Sequence, residues 1–450
     1  MRITKGKRKL FLYIKRNREK IFRGRFQKKK KLKVHSSGQE SDDFLGSDYV
    51  RVIQHLEKSN FRYNTLLERQ HNKTYTIKIP PVFSVSENMD EVILLLRKMY
   101  GMAMDFHTRQ LIFDHSECRE LGLSASTILD VILLAVKKYR SRHSKELECG
   151  GDFSIRSKEV NDILLASGLP YHLNAESLRD YDSNKVERFE IIKGHNVSRV
   201  KMAGSTATKL TEYFNKCLKT QNYEITDRGK AKFGKIFGEV LTNCEIHGGE
   251  NSTWYTQGHY QMKKESSYGE MQLLFLNLGN SIYEGLKKNS SEETQKKLKY
   301  ISKQHKRFFN RDWNEEMLYT VVALQEGISR LRNEQIQGYE GRGSGTVSMI
   351  EMFYDLGKCE EGLVPKMTIV SGRTQIRFTE QYKMKVVNFN QDPAFGTGEK
   401  KIIAFNKENN IYSLPDCENV ICLKEYFPGT IISLKFYLDN RYIKKRKENR

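Results

Sequence analysis

The chain has no long apolar run. Nothing in its 450 residues approaches the roughly 20 consecutive apolar residues that span a bilayer. The N-terminus is basic, but the apolar stretch there, Leu10 to Ile14, is about half a signal-peptide core. Cysteines number seven, an odd count, and no two stand in CxxC spacing. That argues against a disulfide framework, a zinc ribbon and a thioredoxin-type site. Prolines also number seven, so a collagen-like or proline-rich chain is excluded. What the chain has is 38% hydrophobic and 11% aromatic residues, enough for a sizeable core and too many for wholesale disorder. These absences predict a soluble cytoplasmic protein with reduced, mostly buried cysteines.

The formal net charge is +22, but it is concentrated at the ends. Residues 1–34 hold sixteen Lys/Arg and one acid, Glu19. Residues 441–450 hold six Lys/Arg and one acid, Glu448, which leaves +2 for residues 35–440. The body is therefore nearly neutral. The arm over 1–34 mixes basic clusters such as Lys28 to Lys31 with Phe11, Tyr13, Ile21 and Phe26. Such an arm can neutralise nucleic-acid phosphates, lie on an anionic membrane surface, or simply solubilise the chain. Composition leaves the three open.

Residues 1–47 read as a basic arm and a Gly/Ser-rich linker, and 48–73 as a connecting helix with Val50, Ile53 and Leu56 inward. From there the pattern alternates. Thr74 to Val82 predicts a strand, and Met89 to Met104 a helix burying Ile93, Leu94, Leu96, Met99 and Tyr100. Gln110 to Phe113 predicts a strand, Ser126 to Lys138 an amphipathic helix, Phe153 to Arg156 a strand, and Ser157 to Ser167 a helix closed by Gly168. This order, through "LIFDHSECRELGLSAS" and "SKEVNDILLASGL", resembles a STAS-like domain over 74–182. That resemblance implies a serine on the turn before a helix, here Ser124 or Ser126, as a phosphorylation site. The residues alone suggest that either caps the helix instead. The charged stretch Asp182 to Lys193 marks a boundary.

The most informative segment is "KIFGEVLTNCEIHGGEN", Lys235 to Asn251. Glu239, Asn243 and His247 recur every four residues and form one polar stripe on a helix. Ile236, Phe237, Val240, Leu241 and Cys244 cover much of the rest. The amide oxygen of Asn243 is a hard ligand suited to Mg²⁺, and the carboxylate of Glu239 can deprotonate water. A surface stripe closed by Gly248–Gly249 is the plainer explanation of the same pattern. Met271 to Leu278 then predicts a buried strand ending in "NLGNSI". A helix follows near Glu316 to Arg332. "GRGSG" places Gly341, Gly343 and Gly345 before an apolar helix, where backbone N–H groups can approach phosphates. Strands "KMTIVS" and "TQIRF" follow, and "FPGTIISLKFYL" sets Gly429–Thr430 at the entrance to a strand.

These four pieces, in this order, resemble the GHKL superfamily of histidine-kinase, Hsp90, gyrase and MutL ATPases, nearest the anti-sigma-factor serine kinases. "EVLTNCEIHGG" looks like the N box, "NLGNSI" the G1 box, "GRGSG" the G2 box and "PGT" the final Gly-Thr box. The implied fold is α/β: a STAS-like domain, then a two-layer sandwich at 195–440 with a mixed sheet and helices on one face. Residues 284–340 would be an enlarged lid or insertion, and 441–450 a basic tail. The implied cofactors are ATP and Mg²⁺. Asn243 would coordinate Mg²⁺, with Glu239 as general base. Asn277 and Gly279 would meet the base, Gly341, Gly343 and Gly345 the triphosphate, and Thr430 the floor of the adenine pocket. The chain departs from the pattern at Asn277, where the family has Asp, and at Ser281, where it has Gly. No phospho-acceptor histidine helix precedes the domain, and His195 lacks the setting of one.

The resulting expectation is an intracellular ATP-binding switch, a Mg²⁺-dependent ATPase whose lid closure alters docking to an unidentified protein partner. The alternatives are an anti-sigma-type serine/threonine kinase, and a nucleic-acid regulator that binds through residues 1–34 and keeps a degenerate ATP site.

Overall fold

The computed structural model describes residues 48–62, 74–172, 186–195, 202–249, 252–262, 268–328, 345–356 and 362–439. The chain divides into two compact units, Met1–Tyr181 and Asp182–Arg450. The first carries parallel strands and the second an antiparallel sheet, so the protein is mixed α/β. No helix among the described residues is long and apolar enough to cross a membrane. Four of the six described cysteines are buried.

In the first unit, strands β1 (Thr74–Lys78), β3 (Gln110–Asp114) and β5 (Glu148–Asp152) pair in parallel in the order β1-β3-β5. A second parallel pair joins β2 (Val82–Phe83) to β4 (Glu120–Leu121). The expected strand over 74–82 is thus broken in two at Pro80–Pro81, neither of which has an N–H for a ladder. Helices α2 (Met89–Met104) and α3 (Leu123–Arg142) bridge the parallel strands and pack on each other. Helix α2 has the predicted bounds, but Leu95 is buried where Leu94 was expected. Helix α3 starts earlier than expected, at a Gly122 N-cap with no side-chain bond. Ser124 and Ser126 therefore lie inside its first turns, 3% and 5% exposed, and neither is the cap.

The expected strand Phe153–Arg156 does not form. Strand β5 ends at Asp152, and Ser154 turns the chain by accepting from Arg156 N at 3.0 Å and Ser157 N at 2.9 Å. Strand β5 escapes sequence patterning because it is built on Gly150–Gly151. A Cβ at Gly151 would lie 2.6 Å from the Phe113 carbonyl oxygen. Helix α4 (Lys158–Ser167) is capped by the Ser157 hydroxyl, and the short α5 (Leu169–His172) follows. Helix α1 (Asp48–Lys58) is shorter than expected, and the left-handed Asn60 turns the chain after it. It buries Val52 rather than Val50, packs on α3, and its Glu57 accepts a 2.7 Å bond from Tyr100 OH. Arg140, 1% exposed, donates to the carbonyls of Ala103, Asp105, Thr108, Lys145 and Glu146 and ties both ends of this layer together.

The second unit is organised on a five-stranded sheet in the order β6-β7-β8-β12-β9. Its strands are β6 (Val186–His195), β7 (Thr253–Met262), β8 (Tyr268–Leu278), β9 (Lys366–Phe378) and β12 (Val420–Asp439). Every pairing is antiparallel, where a mixed sheet was expected. The physical reason lies in the connections. Helices α6 (Met202–Lys219) and α7 (Asp227–His247) form a hairpin that returns the chain to the end it left, so β7 runs back along β6. Strand β6 covers part of the charged stretch placed before residue 195, and its pairing with β7 makes it part of this unit.

Helices α8 (Ile282–Asn289), α9 (Glu292–His305), α10 (Glu315–Val322) and α11 (Gly345–Leu356) complete the layer. One core joins Phe214, Phe237, Met317, Ile350, Phe275, Leu434 and Ile369 from these helices and from one sheet face. Two more expectations change here. "KMTIVS" and "TQIRF" are one continuous strand, β9, bent through Gly372 at φ +60°. Gly429–Thr430 sits inside β12 rather than at its entrance, at a register shift in the pairing with β9.

Of the expected lid region, residues 284–328 are described and are tied to the rest of the unit, and 329–340 lie outside the described residues. His305 Nε2 bonds Ile411 O at 2.9 Å, and Gln325 bonds the backbone of Ile403 at both of its side-chain ends. These bonds join the helices after β8 to the segment between β9 and β12, which also carries the hairpin β10 (Lys385–Asp392) and β11 (Gly396–Ile402).

Candidate functional site

Helix α7 starts at Thr226, whose hydroxyl accepts from Gly229 N. All five residues expected on its apolar face (Ile236, Phe237, Val240, Leu241 and Cys244) are buried. Phe237 meets Phe275 of β8 at 6.1 Å between ring centroids. Glu239 and Asn243 remain half-buried on the polar side. The side chain of His247 lies outside the described residues. Among those residues, no group of three or more His, Cys, Asp or Glu is placed to hold a metal ion. A Mg²⁺ arriving with a triphosphate needs few protein ligands, and one amide oxygen is compatible with that mode. Glu245, one residue past the apolar Cys244, ties two helices together, because its carboxylate accepts from Ala203 N in the first turn of α6.

The end of α7 packs directly on the turn after β8. Asn280 N donates to Gly248 O at 2.8 Å. A Cβ on Gly279 would lie 2.4 Å from that same carbonyl oxygen, so only glycine permits this approach. Gly249 has φ +88°, and a Cβ there would meet the Asn280 amide. "HGG" and "NLGN", 28 residues or more apart in the chain, thus interlock at one point.

Asn277 occupies the rung before the last of β8, opposite Trp254 of β7 and Thr430 of β12. Thr430 in turn faces Ser371 of β9. The hydroxyls of Thr430 and Ser371 are 2.8 Å apart, and Ser371 accepts from Ile282 N at 2.8 Å. The row therefore crosses four strands with polar side chains on the face that shares the helix core. Asn277 is 3% exposed, and its Oδ1 has no hydrogen-bond partner among the described residues. The hydroxyl of Ser252, 2% exposed, is also without one. Both groups crowd Gly248: a Cβ there would lie 2.5 Å from Ser252 Oγ and 2.6 Å from Asn277 Nδ2. The Trp254 ring lies over Gly194 of β6, so its unpartnered Nε1 is on the side away from β8. At Gly429, φ is +146° and a Cβ would lie 1.9 Å from Asn277 O, which fixes glycine beside Asn277.

Ser281 caps α8. It accepts from Glu284 N, and Glu284 accepts from Ser281 N at 2.9 Å, a complete capping box. Helix α8 begins so close to β8 that a cap is needed there. An acidic pair lies beside this cap. Glu316 of α10 accepts from Arg373 N at 2.6 Å. Burial, with nearby Glu284, pushes the Glu316 carboxyl up. Burial and a bond to Glu284 do the same to the Tyr426 phenol.

The structure thus brings together Asn277, Gly279 and Thr430, with Ser252 and Ser371 added. Gly345 is the first residue of α11, which packs on α7. Gly341 and Gly343 lie outside the described residues. Ser252 and Ser371 were missed because each is a single small residue in a strand or at its edge. The only available signal was "PGT", whose strand pairs with Ser371. No family model, curated protein or solved structure matches this chain.

Proposed function

We propose that the second unit binds ATP with Mg²⁺ in a GHKL-type site and acts as a nucleotide-dependent switch, with slow hydrolysis as the reset. The carrying observation is the unpartnered, buried oxygen of Asn277, set among Ser252, Thr430 and two glycine turns. A buried polar group left unbonded costs about 1–3 kcal/mol, and a ligand donor would remove that cost. A sheet covered on one face by helices agrees with the layers that the resemblance implies. So does α7, which carries Glu239 and Asn243 on one side.

In this reading the amide of Asn277 and the hydroxyls of Ser252 and Thr430 hold the base. Asn243 would hold Mg²⁺, whose charge would offset that of the phosphates. The Glu239 carboxylate orients a water and takes its proton as the terminal phosphoanhydride is cleaved, releasing ADP and phosphate. The glycines before α11 supply backbone N–H groups to the phosphates. The first unit, with parallel strands alternating with helices, is proposed as STAS-like. Ser124 and Ser126 are buried in the folded unit and are poor phosphate acceptors there. This weighs against the kinase alternative with those serines as targets.

The test is calorimetric titration of the full chain with ATP and ADP, with and without Mg²⁺, followed by phosphate release. Wild type should bind, Asn243→Ala should lose the Mg²⁺ response, and Glu239→Ala should bind without turnover. A wild-type chain that binds no adenine nucleotide overturns the reading.

A further inference from the structure

A carboxylate at the base-reading position only accepts hydrogen bonds. An amide both accepts and donates, and its two ends are nearly the same size. Which end faces the ligand is therefore decided by hydrogen bonds that hold the amide. At Asn277 the Oδ1 end has no such bond among the described residues, although the residue is 3% exposed. Ser252 Oγ, beside Nδ2 at Gly248, is likewise unbonded, and a hydroxyl also works in either direction. Asn277 and Ser252 are thus two neighbouring groups that can reverse their polarity, and neither Oδ1 nor the hydroxyl has a partner among the described residues that fixes it.

We infer that this site takes 6-oxopurine as well as 6-aminopurine nucleotides, GTP and ITP alongside ATP. The inference rests on the nucleotide-binding reading above and deepens it. With a 6-aminopurine, Asn277 Oδ1 accepts from the amino group and Ser252 donates to the ring nitrogen beside it. With a 6-oxopurine, the amide turns over, Nδ2 donates to the oxo group, and Ser252 accepts from the ring N–H. At ring positions 1 and 6 both pairings leave the same number of buried groups satisfied, so neither base bears the large penalty of an unmatched polar atom there. A carboxylate would remove this symmetry, because an oxo group would face two acceptor oxygens.

The experiment is calorimetric titration of full-length wild type and Asn277→Asp with the Mg²⁺ complexes of ATP, GTP and ITP. For wild type the dissociation constants for ATP and GTP are expected within about tenfold of each other. For Asn277→Asp, GTP and ITP should weaken by roughly 100-fold or more while ATP is retained, the scale on which a mismatched polar pair is rejected. Wild type that binds ATP but binds GTP over 100-fold more weakly overturns the inference and leaves the nucleotide-binding reading standing. Binding of no nucleotide at all overturns both. An Asn277→Asp protein with an unchanged GTP-to-ATP ratio removes Asn277 as the reader. If that variant does not fold, the wild-type ratio decides alone.

Discussion

Replacing Asn277 by valine separates the stability of the candidate site from the proposed nucleotide binding. The unpartnered Oδ1 lies in a fully packed position at the end of β8, between Trp254 and Thr430. Leaving such an acceptor unbonded costs about 1–3 kcal/mol. Valine has one heavy atom fewer, is a good strand former, and carries no polar group, so part of that cost is recovered and a small void offsets some of it. The expected net gain without ligand is about 1 kcal/mol, or about 2 °C for a unit of this size. The wild type should instead gain about 2.7 kcal/mol from MgATP at 100 times its dissociation constant, since only the folded state binds. That is a shift of about 5 °C, and in the valine variant it should vanish. Both tryptophans of the chain, Trp254 and Trp313, lie in the second unit, so intrinsic tryptophan fluorescence follows this unit alone. A variant that is less stable than wild type without ligand by over 1 kcal/mol would show that the amide is structurally satisfied. A variant with the full ATP shift would show that the base binds elsewhere.

Arg140→Met in the first unit leaves five carbonyls without their donor, those of Ala103 and Thr108 in buried residues; urea unfolding should show a loss of about 3–5 kcal/mol. A loss under 1 kcal/mol would mean that water replaces the guanidinium. Gly279→Ala forces a Cβ against the Gly248 carbonyl oxygen. It should cost about 1–3 kcal/mol by overpacking and weaken nucleotide binding in calorimetry, and unchanged stability would refute the close approach. Glu316 has its carboxyl pushed above the ordinary 4.5, chiefly by burial. The folded state then favours the protonated form, so its contribution is present below pH 4.5 and is lost as pH rises through the raised value. Glu316→Gln still accepts from Arg373 N and carries no charge; its urea midpoint should match wild type near pH 4 and exceed it at pH 7. Equal midpoints at both pH values would exclude the carboxyl as a source of that loss.

Local pattern was enough to find the elements that carry their own signals. Helix α2 has its predicted ends because apolar residues recur at helical spacing. Helix α4 shows its Ser157 cap and Gly168 stop, and the apolar face of α7 is buried as its periodicity requires. The polar stripe of Glu239 and Asn243 was legible for the same reason: a period of 3.6 residues places them on one side whatever the helix packs against. Strand β5 was not legible, because two glycines have no strand preference until β3 lies beside them. Nor was the length of β12, since pairing with both β8 and β9 carries it through Gly429.

The site itself belongs to the tertiary structure. The rung Trp254, Asn277, Thr430, Ser371 joins residues from four strands, and its register is set by the ladder rather than by any one segment. The role of Ser281 as a helix cap appears only once α8 is seen to start there. Residue order along the chain determines which faces are apolar and where helices begin. Which polar atoms end up buried without a partner depends on what long-range packing brings against them, and at Asn277 and Ser252 that packing is what marks the candidate site.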